Sequence, residues 1–99
     1  MSAVDFGYLE SFTAGDAQVI AEVLALFQEQ AEIWLGRLDT VGDGWRDLAH
    51  TIKGASRGIG ANALGDVADR AEHGDASLAR ELRTAILDAL ADIEAYLAR

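Results

Sequence analysis

The chain has 99 residues, 8 of them basic and 17 acidic, so its formal net charge is −9 at pH 7. It contains no cysteine, which excludes disulfides, thiolate metal sites, iron–sulfur clusters and cysteine nucleophiles. The excess negative charge disfavours nucleic acids and anionic membranes as partners, because both are bound mainly through Lys and Arg.

Helices are predicted along almost the whole chain, because proline is absent and residues of high helix propensity dominate. The first is a short helix from Asp5 to Phe12 that stops near Gly15. Asp16 then caps a long helix that ends at the segment 39–44. Its apolar positions recur every three or four residues: Ile20, Val23, Phe27, Ala31, Trp34 and Leu38.

The next helix begins near Trp45 and continues until Gly58 and Gly60 interrupt the pattern. A third long helix closes at Gly74, and a last one starts at Asp75 or Ser77 and follows the same apolar spacing to the C-terminus. Long amphipathic helices joined by short loops must be antiparallel neighbours. We therefore expect one domain over residues 1–99, with an all-α fold: an up-down-up-down four-helix bundle with a short additional N-terminal helix.

The apolar arc of the first long helix is wider than a single core stripe. Leu26 and Ile33 extend one edge of it and Leu35 extends the other. We expect the short N-terminal helix to cover part of this arc. The alternative is that the exposed remainder docks an apolar patch of a partner in a small, transient interface.

The N-terminal residues do not resemble a secretory signal, since Asp5 stands where a cationic and apolar start is needed. No stretch approaches the roughly 20 apolar residues that span a bilayer. We therefore expect a cytoplasmic protein without a membrane partner. We expect a monomer, because the short chain suffices for one bundle; dimerisation stays open, since some bundles with wide apolar arcs dimerise.

Charge is unevenly distributed along the chain. Residues 48–65 contain no acid and two basic residues, Lys53 and Arg57, which gives +2. The remainder holds 6 basic and 17 acidic residues, which gives −11. His50, one of two histidines, lies in this acid-free window beside the only lysine.

His50 is predicted to face solvent, roughly 160° from the centre of the apolar arc of its helix. Arg46, Lys53, Gly54 and Arg57 share or border its face. A glycine inside a helix costs about 1 kcal/mol relative to alanine, and on the solvent side no neighbouring helix needs the room. A purely structural interpretation stays open, because surface histidines are common and such a His/Lys pair also arises by chance.

The functional interpretation is that His50 transiently carries a phosphoryl group. A neutral imidazole nitrogen is a competent nucleophile near pH 7. Lys53 would offset the added negative charge, an interaction worth roughly 1–3 kcal/mol at about 5 Å. Gly54 would leave space for the phosphoryl group and for a partner's active site. A face without a pocket implies that the partner brings the metal and the remaining catalytic groups.

The residues from His50 to Leu64, HTIKGASRGIGANAL, resemble the signature of histidine phosphotransfer (HPt) domains. In that signature the histidine is followed by Lys-Gly, a serine and Gly-Ala-x-x-Leu. Ala68 and Glu72 fall where the family usually has a small residue and a glutamate. Leu24 and Phe27 resemble its upstream Leu-x-x-Phe.

The resemblance implies that His50 is the phosphoaccepting residue, that Lys53 steadies the phosphoryl group and that Gly54 keeps the site open. It implies a phosphoryl carrier rather than an enzyme, with no cofactor of its own. The implied partners are response-regulator receiver domains, which hold Mg²⁺, and hybrid histidine kinases. Candidate partner-binding residues are Arg46, Arg57 and Ser56, and the last is also expected to pack or hydrogen-bond on the inner side of its helix.

Two positions depart from the family pattern. Ala55 replaces a hydroxyl residue often found after the Lys-Gly pair, and Gly58 adds a flexible point near the end of the helix.

The alternative function is a non-catalytic helical bundle that acts as a binding or scaffold module of a signalling complex.

Three other features are given structural roles. His73 lies at a predicted helix end, where a cation complements the helix dipole. A carboxylate metal site is not expected, because Glu-x-x-His pairs on facing helices are missing. Trp34 and Trp45 are expected in the core.

Overall fold

A computed structural model describes residues 3–99, and over this range the chain forms five α-helices and no β-strand. The helices are α1 (Phe6–Phe12), α2 (Ala17–Arg37), α3 (Trp45–Gly58), α4 (Asn62–His73) and α5 (Ala79–Leu97). Short 3-10 turns at Gly42–Gly44 and Ala76–Leu78 precede α3 and α5. The predicted four-helix bundle with a short N-terminal helix is confirmed. None of the helices in residues 3–99 is long and apolar enough to cross a membrane.

Aspartates cap three of the helical segments, and those at Asp16 and Asp75 agree with the sequence pattern. Asp5 accepts a hydrogen bond from the Tyr8 amide at 3.0 Å, and Asp16 accepts from two amides in the first turn of α2. Asp75 accepts from the Ser77 amide at 2.9 Å and starts the 3-10 turn that leads into α5. Each carboxylate satisfies an amide that has no partner inside the helix.

The core lies between α2, α3, α4 and α5 and contains both tryptophans. Trp45 also donates a hydrogen bond from Nε1 to the carbonyl of Ala71 at 2.8 Å. This bond ties the start of α3 to the last turn of α4, so it fixes the two helices that carry the candidate site relative to one another.

The short helix α1 packs at the end of the bundle where α3 and α5 finish. The Asp5 amide donates to the Gly60 carbonyl at 2.8 Å, and Phe6 stacks on Tyr96 with ring centroids 4.2 Å apart. Gly60 has a φ of +83°, and a Cβ at this position would lie 2.8 Å from the Asp5 carbonyl oxygen. A glycine is therefore needed there for both conformation and space.

The predicted covering of part of the wide apolar arc of α2 by α1 does not extend to the edge formed by Leu26 and Ile33. Leu26 and Ile33 are 62% and 54% exposed, because α1 packs at the end of the bundle instead. Leu35, on the other edge, packs partly buried against the core. An apolar edge of α2 is consequently left open to solvent.

Candidate functional site

His50 lies in the first half of α3, and its side chain is 69% exposed. The predicted solvent-facing position is confirmed. Trp45, Leu48, Ala49, Ile52 and Ser56 are buried on the opposite side of the same helix. Because these residues pack into the core, they fix the rotation of α3 and therefore the direction in which His50 points.

Glu72 on α4 contacts both His50 and Lys53. Its Oε1 atom lies 3.1 Å from Nδ1 of His50 and 2.7 Å from Nζ of Lys53. The glutamate side chain is only 10% exposed, whereas that of His50 is 69% exposed. His50 and Lys53 are thus joined through one carboxylate oxygen on the neighbouring helix.

The charge of Glu72 determines which nitrogen of His50 is free. Lys53 hydrogen-bonds to Glu72 and lowers the pKa of its carboxyl from 4.5 to about 2; a hydrogen bond from His50 acts in the same direction, and partial burial opposes them. The group is therefore ionised at neutral pH and can only accept hydrogen bonds. In the neutral ring we therefore assign the proton to Nδ1 of His50, which leaves the lone pair of Nε2 available.

Lys53 is held by a second carboxylate on α4. Its Nζ atom lies 3.2 Å from Oδ1 of Asp69 as well as 2.7 Å from Glu72. These partners raise the pKa of Lys53, with the hydrogen bond to Glu72 as the largest cause. An ammonium group has three N–H donors, so Lys53 keeps one donor for a further acceptor.

The two carboxylates are the part of the site that the charge distribution along the sequence missed. The window 48–65 lacks acids, yet α4 places Asp69 and Glu72 against Lys53. Their spacing of three residues puts both on one face of α4. That spacing, together with the family resemblance at Glu72, is the signal that could have identified them.

Two exposed glycines, Gly54 and Gly58, follow His50 on the same side of α3. A Cβ added at Gly54 or at Gly58 would meet no atom within 4 Å. No neighbouring helix therefore requires the absence of a side chain at either position. His50, Gly54 and Gly58 are four residues apart, so they form one open strip on the helix surface.

A shallow apolar groove borders this strip on the side of α2. Its lining residues come from α2 and α3: Val23, Leu26, Phe27, Gln30, Ala55 and Ile59. Ala55 thus contributes an apolar surface where the family often has a hydroxyl. A wider groove between α4 and α5 is lined by residues such as Val67, Leu78 and Ala85 and includes neither histidine.

The remaining predicted partner-binding residues differ in their surroundings. Arg46 is exposed and forms no ion pair in the part of the chain that is described. Arg57 lies across Gly65 of α4, where a Cβ would be 2.9 Å from its Cγ atom, and its guanidinium lies 3.7 Å from Asp66. Both are on the His50 side of α3.

Ser56 requires a correction as a partner-binding residue. Its side chain is completely buried, so no partner can contact it. It packs on the inner side of α3, as the sequence indicates, but its Oγ atom has no hydrogen-bond partner among residues 3–99. Its position on the apolar arc of the helix already signals burial.

His73 has the surroundings of a helix-end residue. Its Nδ1 atom donates to the backbone carbonyl of Asp69 at 2.8 Å and lies 3.7 Å from the carboxylate of the same residue. This agrees with the structural role predicted for it. Among residues 3–99, no group of three or more His, Cys, Asp or Glu side chains could hold a metal ion.

Comparison with known proteins identifies the family. The model of the Hpt domain family matches residues 18–96. The chain is similar to the crystal structure of the histidine phosphotransferase ShpA from Caulobacter crescentus, with 55% identity and a TM-score of 0.88, over 98% of this chain and 92% of that one. A search of curated proteins finds no match. The resemblance seen in the sequence is confirmed, and the chain belongs to the Hpt domain family.

Proposed function

We propose that His50 of this Hpt domain accepts a phosphoryl group from a receiver-domain aspartate, or from a hybrid histidine kinase, and passes it to another receiver or back. Membership of the Hpt family supports a role as a phosphorelay intermediate. The observation that carries the residue assignment is the 3.1 Å contact between Nδ1 of His50 and Glu72, because it leaves Nε2 as the reactive atom on an exposed ring.

The transfer exchanges one bond to phosphorus for another. The lone pair of Nε2 forms a bond to phosphorus while the bond between phosphorus and the carboxyl oxygen of the receiver breaks. The electron pair of the broken bond returns to the receiver's carboxylate. The Nδ1 proton stays on the ring, whose gained positive charge is balanced by Glu72. The reverse step delivers the phosphoryl group to the next receiver.

Lys53 is proposed to hold the transferred phosphoryl group. Its ammonium is already fixed by Glu72 and Asp69 on the side of α4, so little conformational freedom is lost when a third acceptor binds. Lys53 is three residues after His50 and shares its side of the helix. Its positive charge offsets the roughly 1.5 to 2 negative charges of a phosphoryl group at neutral pH.

The protein acts in this proposal as a phosphoryl carrier with no cofactor of its own. The Mg²⁺ ion of the receiver would neutralise charge on the phosphoryl oxygens during transfer. This chain contributes the nucleophile, the carboxylate that orients it and the ammonium beside it. The catalytic groups on the other side of the phosphorus belong to the partner.

The open strip of Gly54 and Gly58 allows the receiver to approach closely. An in-line transfer requires the receiver's aspartate to reach Nε2 along the axis of the bond that forms. Side chains at these positions would project toward the partner, since a Cβ there meets no atom of this chain. This gives a functional reason for Gly58, the second departure from the family pattern.

The receiver is proposed to dock on the apolar groove beside this strip. Leu26 and Ile33 remain exposed on α2, and Ala55 joins the lining of the groove. On the other side of His50, Arg46 has no ion pair among the described residues and is available to acidic groups around the receiver's active site. Apolar contact on one side and charge on the other would orient the two domains.

A transfer assay tests the proposal. Each receiver domain of the source genome is phosphorylated with acetyl phosphate and Mg²⁺ and then mixed with the protein. We expect acid-labile, alkali-stable phosphate on the wild type and on His73→Gln, and none on His50→Gln. If receivers bind while none transfers phosphate, the relay function is refuted in favour of a scaffold module.

A further inference from the structure

The charges around Lys53 are not balanced before any phosphoryl group arrives. One ammonium faces two carboxylates, at 2.7 Å from Glu72 and 3.2 Å from Asp69. Glu72 also contacts His50 and has a part in orienting the ring. Asp69 instead contacts Lys53 and His73, so it has no part in the proposed transfer step.

We propose that Asp69 sets the equilibrium between phosphorylated and unphosphorylated His50, because its carboxylate repels the phosphoryl group across the ammonium of Lys53. This inference rests on the proposed function of His50 and concerns the same site. It makes Asp69 a residue that tunes how readily the domain gives up its phosphoryl group, without touching the reacting atoms.

The geometry limits the distance between the two anions. Oδ1 of Asp69 lies 3.2 Å from Nζ of Lys53, and a phosphoryl oxygen bound to the same ammonium would lie about 3 Å from it. If Lys53 holds both, the carboxylate and phosphoryl oxygens are at most about 6 Å apart. This separation is shorter than the Debye length of roughly 8 Å at physiological ionic strength, so salt screens the repulsion only in part.

The size of the effect follows from the two charges. The Asp69 carboxylate is 42% exposed, so the interaction is partly screened by water as well. A phosphoryl group carrying about 1.5 to 2 negative charges at this distance is disfavoured by roughly three- to tenfold in equilibrium constant when the surroundings resemble water. Lys53 attracts both anions, but its attraction does not remove their mutual repulsion.

The two carboxylates therefore act in opposite directions. Glu72 balances the positive charge that the imidazole ring gains when Nε2 binds phosphorus. Asp69 contacts Lys53 and His73 rather than His50, so its charge acts chiefly on the phosphoryl group that Lys53 would hold. A phosphoryl carrier must release its phosphoryl group. In this proposal Asp69 makes phosphorylated His50 a stronger phosphoryl donor to the next receiver.

The experiment measures the position of the transfer equilibrium. The protein is loaded with phosphoramidate, whose P–N bond breaks as ammonia leaves, and the reagent is then removed. Loaded protein is mixed with an equimolar receiver that accepts phosphate from the wild type, in the presence of Mg²⁺. The ratio of phosphohistidine to phosphoaspartate is read at equilibrium. A change in the affinity of docking alters how fast equilibrium is reached. It does not alter the equilibrium ratio of the unbound phosphorylated proteins.

Asp69→Asn is expected to lower the equilibrium constant for transfer to the receiver by about three- to tenfold. In an equimolar mixture that change raises the phosphohistidine to phosphoaspartate ratio by about two- to threefold, because the ratio varies as the square root of the constant. Asp66→Asn is the matched control, since it makes the same charge change on α4 at an exposed residue that pairs with Arg57 rather than Lys53. It should leave the ratio unchanged. Asp69→Glu should restore the wild-type ratio, and added salt should reduce the difference between Asp69→Asn and the wild type.

The outcomes separate this inference from the proposed function. A wild type that loads and transfers, with the same ratio in Asp69→Asn, overturns the role of Asp69 and leaves His50 as the carrier. An equal rise in Asp66→Asn also overturns it, because the effect would then be one of net charge. A wild type that neither loads nor transfers overturns both proposals.

Discussion

The carboxylate of Glu72 on α4 accepts a hydrogen bond from Nδ1 of His50 on α3 at 3.1 Å. The two helices are held together nearby by the hydrogen bond between Trp45 and the carbonyl of Ala71, the residue before Glu72. Because of this hydrogen bond, Nδ1 of the imidazole ring faces the protein and Nε2 faces the partner. The reactivity assigned to His50 depends on this orientation of the ring.

Ionised Glu72 should stabilise the folded protein in a pH-dependent manner. The pKa of its carboxyl is lowered from 4.5 to about 2 in the folded state, so the unfolded state binds the proton more readily. The stabilisation is complete above pH 4.5 and is lost as the pH falls toward 2. Urea denaturation at a series of pH values should show a difference between the wild type and Glu72→Gln that shrinks across this interval. A difference that is independent of pH would contradict the ion pair with Lys53.

Removing the ammonium of Lys53 should shorten the lifetime of phosphohistidine. We expect Lys53→Ala to remain folded, because Lys53 lies outside the apolar core, and to lose phosphate roughly tenfold faster after loading with phosphoramidate. Lys53→Arg keeps a positive charge, so it should lose phosphate more slowly than Lys53→Ala. The measurement is the decay of the acid-labile label over time. Unchanged decay together with unchanged transfer would remove Lys53 from the mechanism.

A bulky side chain at Gly54 should block the receiver without unfolding the domain. Gly54→Leu places its side chain in open space, so circular dichroism should show an intact helical bundle. Transfer from a phosphorylated receiver should fall by about a hundredfold, because a displacement of about 1 Å at the reacting atoms already costs that much. Gly36→Leu on α2, where a Cβ also meets nothing within 4 Å, is the control and should transfer normally. Full transfer by Gly54→Leu would refute the steric role.

A charge in the apolar groove should weaken receiver docking. Leu26→Glu is expected to raise the receiver concentration for half-maximal transfer about tenfold, since burial of a leucine contributes roughly 1.5–3 kcal/mol. The maximal rate should change less, because Leu26 does not touch the reacting atoms. Leu87→Glu on α5, which is 50% exposed in the wild type, should transfer as the wild type does. Equal effects of the two substitutions would place the docking surface elsewhere.

Most of the fold follows from local features of the sequence. The capping residues Asp16 and Asp75 predict where two helical segments begin, and the helical spacing of apolar residues predicts which faces the helices bury. The path of α1 does not follow from such signals. It is decided by tertiary contacts of Asp5 with Gly60 and of Phe6 with Tyr96, which the periodicity of a single helix cannot reveal.

The site is predictable to a similar extent. The rotation of α3 places His50, Lys53 and Gly54 on its outer side. The apolar periodicity of this single helix is enough to predict that. The carboxylates of Asp69 and Glu72 reach Lys53 from another helix, so a count of charges along the sequence describes them as distant. Ser56 is predicted to bind a partner because of its place in the motif. Its position among apolar residues on the helix predicts burial instead, and burial is what the structure shows.

The most direct measurement is the identity of the atom that carries phosphorus. The protein is labelled with ¹⁵N in its histidines and loaded with phosphoramidate, and the two ring nitrogens of each histidine are assigned from proton–nitrogen correlations by NMR. We predict phosphorus on Nε2 of His50, a proton retained on Nδ1 and an unmodified His73. Phosphorus on Nδ1 of His50, or on His73 in its place, would contradict this prediction.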